Sequence, residues 1–233
     1  MSAPLDGIMV VALENAVSAP FATRQLVDLG AEVLKVERPG EGDFARHYDA
    51  AMDGTSAFFV WANRGKQSVE LDLKDPDDRT TFDALVAGAD VFVQNLTPAA
   101  ADRAGLLADQ LRQRHPRLIA CDISGYGLGG PRTDDKAYDL AIQAEGGAIA
   151  LTGTPDQPVK VGFSIADISS AMYAFSSIVA ALYRRERTGE GASIEVTMLE
   201  SMAEWTAAPT YNSVGNQQNV QRAGHRHSMI APY

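Results

Sequence analysis

The 233-residue chain has few cysteines, few basic residues relative to acidic ones, and no long apolar segment. Its single cysteine, Cys121, excludes an intrachain disulfide framework and is typical of a reducing cytoplasm. The net charge of −10 argues against nucleic-acid binding, which needs a basic face. No stretch reaches the roughly 18 consecutive apolar residues of a membrane span, and the N-terminal residues lack the basic and apolar regions of a signal peptide. We therefore expect a cytoplasmic protein that binds neither nucleic acid nor membrane.

Strand-like and helix-like patterns alternate along the first 123 residues. Short apolar or alternating runs predict strands at residues 8–13, 32–36, 68–73, 91–93 and 118–123. Helices are predicted at residues 20–29, 75–88 and 99–114, the second with Asp75 as N-cap and Pro76 in its first turn. Such repeated strand–helix–strand units favour an α/β fold with a Rossmann-like, open, mainly parallel sheet and helices on both faces.

The second half of the chain has fewer repeating patterns. It predicts a loop at residues 125–135, a helix at 138–148, a loop at 153–158, a long helix at 167–185 and a strand at 193–196. Another helix is predicted at residues 199–208, and the polar tail, 209–233, has no compact pattern.

Three motifs have functional interpretations that compete with simpler ones. Gly125 to Gly130 matches the GxGxxG spacing, but proline and charged residues follow where a dinucleotide-binding helix should open, which favours a flexible loop over a ligand. Ser164 lies in a segment that resembles the nucleophile elbow of a hydrolase, with Ala166 in place of its last glycine. His225 and His227 have no nearby cysteine or carboxylate to complete a metal site, so no metal is predicted.

Basic side chains follow several of the predicted strands. Ligands of open α/β sheets collect at the carboxyl ends of the strands, so Arg38, Lys74, Arg103 and Lys136 are candidates for holding phosphate. Asp167 begins the predicted long helix and has two interpretations. It is an ordinary N-cap, or it is a nucleophile toward an activated acyl group, kept ionised because the helix N-terminus lowers its pKa.

Several sequence blocks resemble the class III CoA-transferases, the CaiB/BaiF family that includes formyl-CoA transferase-like proteins. They are PLDGI at residues 4–8, LGAEVLKVERPG at 29–40, NRGKQSVELDLK at 63–74, DVFVQN at 90–95, SGYG at 124–127, YDLAIQAEGG at 138–147 and TGEG at 188–191. The blocks occur in the family's order over almost the whole chain. The resemblance is to the N-terminal part of the family only, because its members are longer.

The resemblance implies that coenzyme A is a substrate, free or as acyl-CoA, and that no cofactor is bound permanently. It identifies Asp167 as the catalytic carboxylate. The implied CoA contacts are Val17, Ser18, Arg38, Leu71, Asp72, Leu73, Lys74, Asn95, Leu96, Thr97, Arg103, Lys136, Ala137 and Tyr138.

The implied reaction moves CoA from an acyl-CoA to a free carboxylic acid. Asp167 attacks the thioester and forms a mixed anhydride. The released thiolate then attacks the aspartyl carbonyl, giving an aspartyl-CoA thioester, and the acceptor carboxylate reverses these steps. Residues 222–233 are most similar to members acting on small dicarboxylates such as mesaconate, itaconate or citramalate, and succinate is a further candidate.

Two other functions remain open at this point. An α-methylacyl-CoA racemase-like epimerase has the same fold, but the chain has no histidine between His115 and His225 to act as its second base. An inactive CoA-binding fragment is the other alternative. The resemblance further implies a large CoA-binding domain at residues 1–200, and a helix and linker at 201–233 toward a smaller second domain that the chain lacks. It also implies an interlocked homodimer for the full-length protein.

Overall fold

The computed structural model describes residues 2–227 and 230–232. Six parallel strands form its main sheet, and a two-stranded hairpin lies apart from it. In chain order the strands are β1 (Met9–Leu13), β2 (Glu32–Glu37), β3 (Gln67–Glu70), β4 (Val91–Gln94), β5 (Ile119–Ser124), the hairpin strands β6 (Gly153–Thr154) and β7 (Gln157–Pro158), and β8 (Ala192–Thr197). The order across the main sheet is β3-β2-β1-β4-β5-β8, with Val10 of β1 opposite Val33 on one side and Val91 on the other.

Ten α-helices and one 3₁₀ turn connect these strands in the part of the chain that the structure describes. They are α1 (Ser18–Asp28), the 3₁₀ turn (Phe44–His47), α2 (Ala57–Asn63), α3 (Pro76–Gly88), α4 (Pro98–Ala104), α5 (Ala108–Arg114), α6 (Asp139–Glu145), α7 (Ala148–Leu151), α8 (Ile165–Thr188), α9 (Met198–Trp205) and α10 (Ala207–Asn216).

Helices cover both faces of the sheet, as predicted. Alternate residues of each strand point to opposite faces, so Val91 and Val93 pack against α1 and α8, whereas Phe92 packs against α3 and α5. Phe92 meets Phe82 of α3 edge to face, with ring centroids 6.0 Å apart. The prediction of an α/β fold with a mainly parallel sheet is confirmed.

The sheet order places a topological switch point between β1 and β4. From β1 the chain first builds outward through β2 and β3, and then returns to add β4 on the other side of β1. The loops that leave β1 and β4 therefore diverge to opposite faces and open a crevice at the carboxyl ends of these strands, where doubly wound proteins bind ligands.

Several local predictions differ from the structure, among them the helix predicted at 138–148, which is interrupted between α6 and α7. The helix predicted at 99–114 is two helices, because Gly105 adopts a left-handed φ of 68° that ends α4. The tail is not wholly irregular, since α10 extends to Asn216, and the loop at 153–158 is the β6–β7 hairpin. No element was predicted where α2 lies. Asp167 is not an N-cap, because α8 begins two residues earlier and its N-cap is Ser164.

Helix α8 is long and apolar enough to cross a membrane by length and composition alone. In this fold it is a core helix, because its small residues Ala171 and Ala174 are fully buried against α1 and the sheet. Residues 228, 229 and 233, which belong to the tail segment with similarity to dicarboxylate-specific members, lie outside the described residues.

Candidate active site

The loop between β1 and α1 forms the floor of the switch-point crevice. Asn95, directly after β4, accepts a hydrogen bond from the backbone N–H of Asn15 (2.9 Å) and donates from Nδ2 to the carbonyl of Asn15 (2.9 Å) and to Oγ of Ser18 (3.2 Å). One amide side chain therefore joins the ends of the two strands that flank the crevice. Between these contacts Ala16 adopts a left-handed φ of 63°, which non-glycine residues rarely do.

Two cavities open along this edge of the sheet. The β2–β3 cavity, of about 640 Å³, lies beyond the ends of β2 and β3 and is lined by Leu13, Asn15, Val36, Glu37, Arg38, Gly40, Glu41, Gly42, Phe44, His47, Leu71, Asp72, Leu73, Lys74 and Leu96. The Asp167 cavity, of about 320 Å³, is lined by Asn15, Ala16, Ser18, Phe44, Asn95, Leu96, Thr97, Pro98, Ile123, Ser124, Gly125, Thr133, Asp135, Lys136, Ala137, Tyr138, Asp167 and Met198. Asn15, Phe44 and Leu96 border both cavities, so the two form neighbouring parts of one crevice.

Asp167 lies in the first turn of α8, and its side chain borders the second cavity. Among the described residues, none donates a hydrogen bond to its carboxylate. Burial raises the pKa of Asp167, and the negative charge of Asp139 raises it further, to about 7. This corrects the expectation of a lowered pKa, because burial and the neighbouring carboxylate both disfavour the charged form.

Asp139 and Gln143 of α6 hold the segment that leads into Asp167. Oδ1 of Asp139 accepts the backbone N–H of Ala166 (2.8 Å), and Oδ2 accepts Nε2 of Gln143 (2.7 Å). Gln143 is fully buried, and its Oε1 accepts the N–H of Val161 (2.8 Å). These bonds fix the backbone before and at the start of α8, and thereby the position of the Asp167 side chain.

Tyr48 is a neighbour of Asp167 that the sequence did not predict. Burial raises the pKa of its hydroxyl to about 12, and the charges of Asp43 and Asp167 contribute to this rise. Its ring makes an edge contact with Phe58, with centroids 5.9 Å apart. Phe58 in turn lines an apolar cavity of about 330 Å³ with Ala57, Trp61, Phe163, Ser164 and Ile168, adjacent to the first turn of α8.

The β2–β3 cavity contains two cations and several acids. Arg38 is 76% exposed and pairs with the equally exposed Glu41 (3.0 Å). Lys74 is exposed on the other side of the same cavity. Because exposed ion pairs are weak and exchange readily, an anionic group can take Glu41's place on Arg38.

A network of buried charges lies behind the crevice. Glu14 accepts Nζ of Lys66 (2.6 Å) and Oγ1 of Thr23 (2.8 Å), and Nζ of Lys35 pairs with Asp43 (2.8 Å) and lies 3.6 Å from Glu14. Burial lowers the pKa of Lys66 to about 8. For Glu14, the attraction of Lys66 and Lys35 outweighs the effect of burial, and its pKa is lowered.

The structure brings most of the predicted site residues to this crevice. Leu71, Asp72, Leu73, Lys74 and Arg38 line one cavity, and Ser18, Asn95, Thr97, Lys136, Ala137, Tyr138 and Asp167 line the other, with Leu96 in both. Two predicted contacts border neither cavity. Val17 is buried at the start of α1, and Arg103 is exposed in the last turn of α4.

Sequence reasoning missed Asn15, Ala16 and Phe44, which line the crevice. It also missed Asp43, which accepts the N–H of Ala16, and Tyr48, whose ring contacts Phe44. Asn15 lies two residues after the end of β1, so the rule that identified Arg38 could have found it. Phe44 and Tyr48 belong to an irregular segment, residues 38–56, whose pattern gives no indication of its path.

The competing motifs do not form the sites that they suggested. No helix opens at Gly130; instead Arg132 pairs with Glu145 of α6 and stacks on Tyr126 (3.9 Å from guanidinium carbon to ring centroid), which fastens the glycine-rich loop. Ser164 follows an irregular segment and not a strand, so the elbow geometry is missing. Within the described residues, no group of three or more histidine, cysteine, aspartate or glutamate side chains could hold a metal ion.

Comparison with known proteins identifies relatives along the full chain. The model of CoA-transferase family III matches residues 5–233. An acetyl-CoA:oxalate CoA-transferase from Acetobacter aceti is 39% identical over 99% of this chain and 60% of its own length, and a succinyl-CoA:glutarate CoA-transferase from Mus musculus is 36% identical over 99% of this chain and 53% of its own. The crystal structure of a CAIB/BAIF family protein from Brucella suis superposes with a TM-score of 0.92 at 37% identity, covering 100% of this chain and 63% of that one. The chain therefore spans a little over half the length of these curated relatives.

Proposed function

Because the chain belongs to CoA-transferase family III, we propose that it provides the CoA site and the nucleophile of an acyl-CoA:carboxylate CoA-transferase. The observation that carries this proposal is the placement of Asp167. Its carboxylate borders a cavity at the switch point, accepts no hydrogen bond from the described residues, and adjoins a second cavity with two exposed cations. Acyl transfer to a carboxylate requires such an unpartnered oxygen beside a site for CoA.

The two cavities suit the two parts of an acyl-CoA. CoA carries phosphates at its nucleotide end and a thioester at the other, and Arg38 and Lys74 are available for phosphate in the β2–β3 cavity. The thioester would then reach Asp167 past Asn15 and Leu96, which border both cavities. Lys136 adds a further cation on the rim of the Asp167 cavity.

The chemistry begins with the ionised form of Asp167. One carboxylate oxygen attacks the acyl carbonyl, the C–S bond breaks, and CoA leaves as a thiolate, so that an aspartyl anhydride remains. The thiolate attacks the aspartyl carbonyl and releases the donor acid, which leaves an aspartyl-CoA thioester. The acceptor carboxylate attacks this thioester, and the same two steps in reverse give the new acyl-CoA and free Asp167.

Small dicarboxylates are the acceptors and donors that the relatives' names favour. Those names include oxalate, glutarate and succinyl-CoA. We include succinate in the substrate class, and we extend the class to mesaconate, itaconate and citramalate on the sequence similarity of the tail. We further expect the whole protein to be a cytoplasmic, interlocked homodimer.

A racemase-like epimerase is less well supported by the site. Such an enzyme needs a second base opposite the carboxylate, and none of the described residues that line the Asp167 cavity is a histidine. Asp135 is the other carboxylate on that wall, and it lies in the loop paired with Arg132 (2.8 Å).

Covalent trapping tests the proposal directly. The protein is incubated with succinyl-CoA, treated with hydroxylamine or borohydride, and digested for mass spectrometry, in parallel with Asp167→Asn. Modification at Asp167 that is missing in the variant is the expected result. CoA binding without any adduct from several acyl-CoAs would refute acyl transfer by this chain and would favour a CoA-binding role. Exchange of the α-proton of a 2-methylacyl-CoA with solvent would instead favour the epimerase.

A further inference from the structure

The carboxylate of Asp43 joins three separate segments of the chain. Asp43 is completely buried. Its Oδ1 accepts the backbone N–H groups of Ala16 (3.0 Å) and Ala45 (2.9 Å), and its Oδ2 accepts Nζ of Lys35 (2.8 Å). Its own N–H donates to Glu37 (2.8 Å). The β1–α1 loop, strand β2 and the 3₁₀ turn are thus held by one side chain.

Each of these three segments forms part of the crevice wall. Ala16 borders the Asp167 cavity, and Phe44, at the start of the 3₁₀ turn, borders both cavities. Glu37 is the last residue of the strand that carries Lys35, Arg38 follows it, and both line the β2–β3 cavity. Asp43 itself lines neither cavity, so it reaches a ligand only through the backbone that it holds.

The conformation of Ala16 shows why such a hold is needed. With a φ of 63°, Ala16 lies in a region that side-chain-bearing residues leave unless other contacts retain them. Asn95 fixes the residue before it, and Asp43 fixes the N–H of Ala16 itself. Loss of either hydrogen bond would allow the β1–α1 loop to relax into the space between the two cavities.

We propose that Asp43, paired with the buried Lys35, is a positioning residue that pre-forms the passage between the two cavities for acyl-CoA. This inference rests on the proposed function, since it assumes that CoA occupies the crevice. Pre-formed sites bind more tightly because the ligand does not have to order the loop. The pair with Lys35 therefore acts on CoA affinity and leaves the nucleophile itself unchanged.

The substitution Asp43→Asn leaves only one acceptor atom where the carboxylate has two. The amide oxygen can accept the N–H groups of Ala16 and Ala45 only if the NH₂ group faces the ammonium of Lys35, so the variant cannot keep both the ion pair and the contacts that hold the backbone. Asp49→Asn is the control, because Asp49 also accepts backbone N–H groups, but those of Ala51 and Ala57, which border neither the β2–β3 cavity nor the Asp167 cavity.

The measurements are the dissociation constant of CoA by calorimetry, and the extent of Asp167 trapping at saturating succinyl-CoA. We expect Asp43→Asn to weaken CoA binding about tenfold or more, the scale of one hydrogen bond to a charged group. Trapping at saturation should stay within about twofold of wild type, and Asp49→Asn should leave both values unchanged. Asp43→Asn with wild-type affinity, in a wild type that binds CoA, would overturn this inference alone. A wild type that binds no CoA would overturn the proposed function as well.

Hydrogen exchange on the wild type provides a test that does not depend on how the variant folds. The N–H groups of Ala16 and Ala45 should be protected before CoA is added, because a buried carboxylate already accepts both. Protection that arises only when CoA binds would show that the passage is not pre-formed and would contradict the role of Asp43.

Discussion

Replacing Asp167 by asparagine should stabilise the protein at neutral pH, whatever reaction the site supports. A carboxyl group whose pKa rises from 3.8 in the unfolded chain to about 7 in the folded protein binds a proton on folding between these pH values. The unfolded state then carries fewer protons than the folded one, so this group lowers the free energy of unfolding as pH rises. The decrease in the free energy of unfolding caused by Asp167 is absent below about pH 4 and complete above about pH 7.

The size of this effect follows from the pKa difference. A difference of one pKa unit between the folded and unfolded states corresponds to about 1.4 kcal/mol of stability. The full effect of the Asp167 shift is therefore about 4 kcal/mol. Between pH 5 and pH 7 the stability advantage of Asp167→Asn over wild type should grow by about 2–3 kcal/mol. The pH dependence of this stability difference distinguishes ionisation from a change in packing, which would alter stability equally at every pH.

Urea denaturation of both proteins, followed by circular dichroism at several pH values, measures the advantage. Other titrating groups are the same in the two proteins and cancel in the difference. Asp139→Asn tests the second cause of the raised pKa. Because this substitution removes the neighbouring charge, the free energy of unfolding of the variant should depend less on pH than that of wild type. A difference between wild type and Asp167→Asn that is constant with pH, or that shrinks as pH rises, would refute the reasoning.

Three further predictions concern the proposed activity and the crevice. Acylation of Asp167, measured by trapping at a series of pH values, should rise with a midpoint near pH 7, and Asp139→Asn should move that midpoint lower; an unchanged midpoint would contradict the electrostatic role of Asp139. Arg38→Ala and Lys74→Ala should each weaken CoA binding about tenfold but leave the reaction with a succinyl-pantetheine thioester, which lacks the nucleotide, unaffected; equal losses with both substrates would exclude phosphate binding. Asn95→Leu should lower the free energy of unfolding by about 2–3 kcal/mol in urea, because it removes three hydrogen bonds at the switch point; a loss below about 0.5 kcal/mol would show that these bonds do not stabilise the fold.

The regular part of the fold could be predicted because each strand and helix carries its own signal. Strand β4 begins with an apolar run at residues 91–93, and α3 is preceded by its N-cap Asp75, which accepts the N–H groups of Asp77 and Asp78. Such signals are local, so one sequence is enough to detect them. The same rules identified Arg38 and Asn95, since both follow strands directly.

The irregular wall of the crevice could not be predicted for the opposite reason. Its geometry depends on contacts between residues far apart in sequence, such as Asp43 with Ala16 and Asn95 with Asn15. The pKa of Asp167 shows the same dependence. From sequence only the helix N-terminus was visible, whereas burial and the charge of Asp139 decide the direction of the shift.

The crevice fixes Asp167 through the backbone around it, and no described residue donates a hydrogen bond to its carboxylate. Asp139 and Gln143 hold the N–H groups of Ala166 and Val161, and neither binds the carboxylate of Asp167. A hydrogen bond to that carboxylate would stabilise its charge and weaken it as a nucleophile. Asp43 has the same role for the β1–α1 loop, because it lies behind the wall and accepts a hydrogen bond from the N–H of Ala16. Because these supporting side chains bond to the backbone from behind or beside the cavities, the inner surface of the wall stays accessible to a ligand.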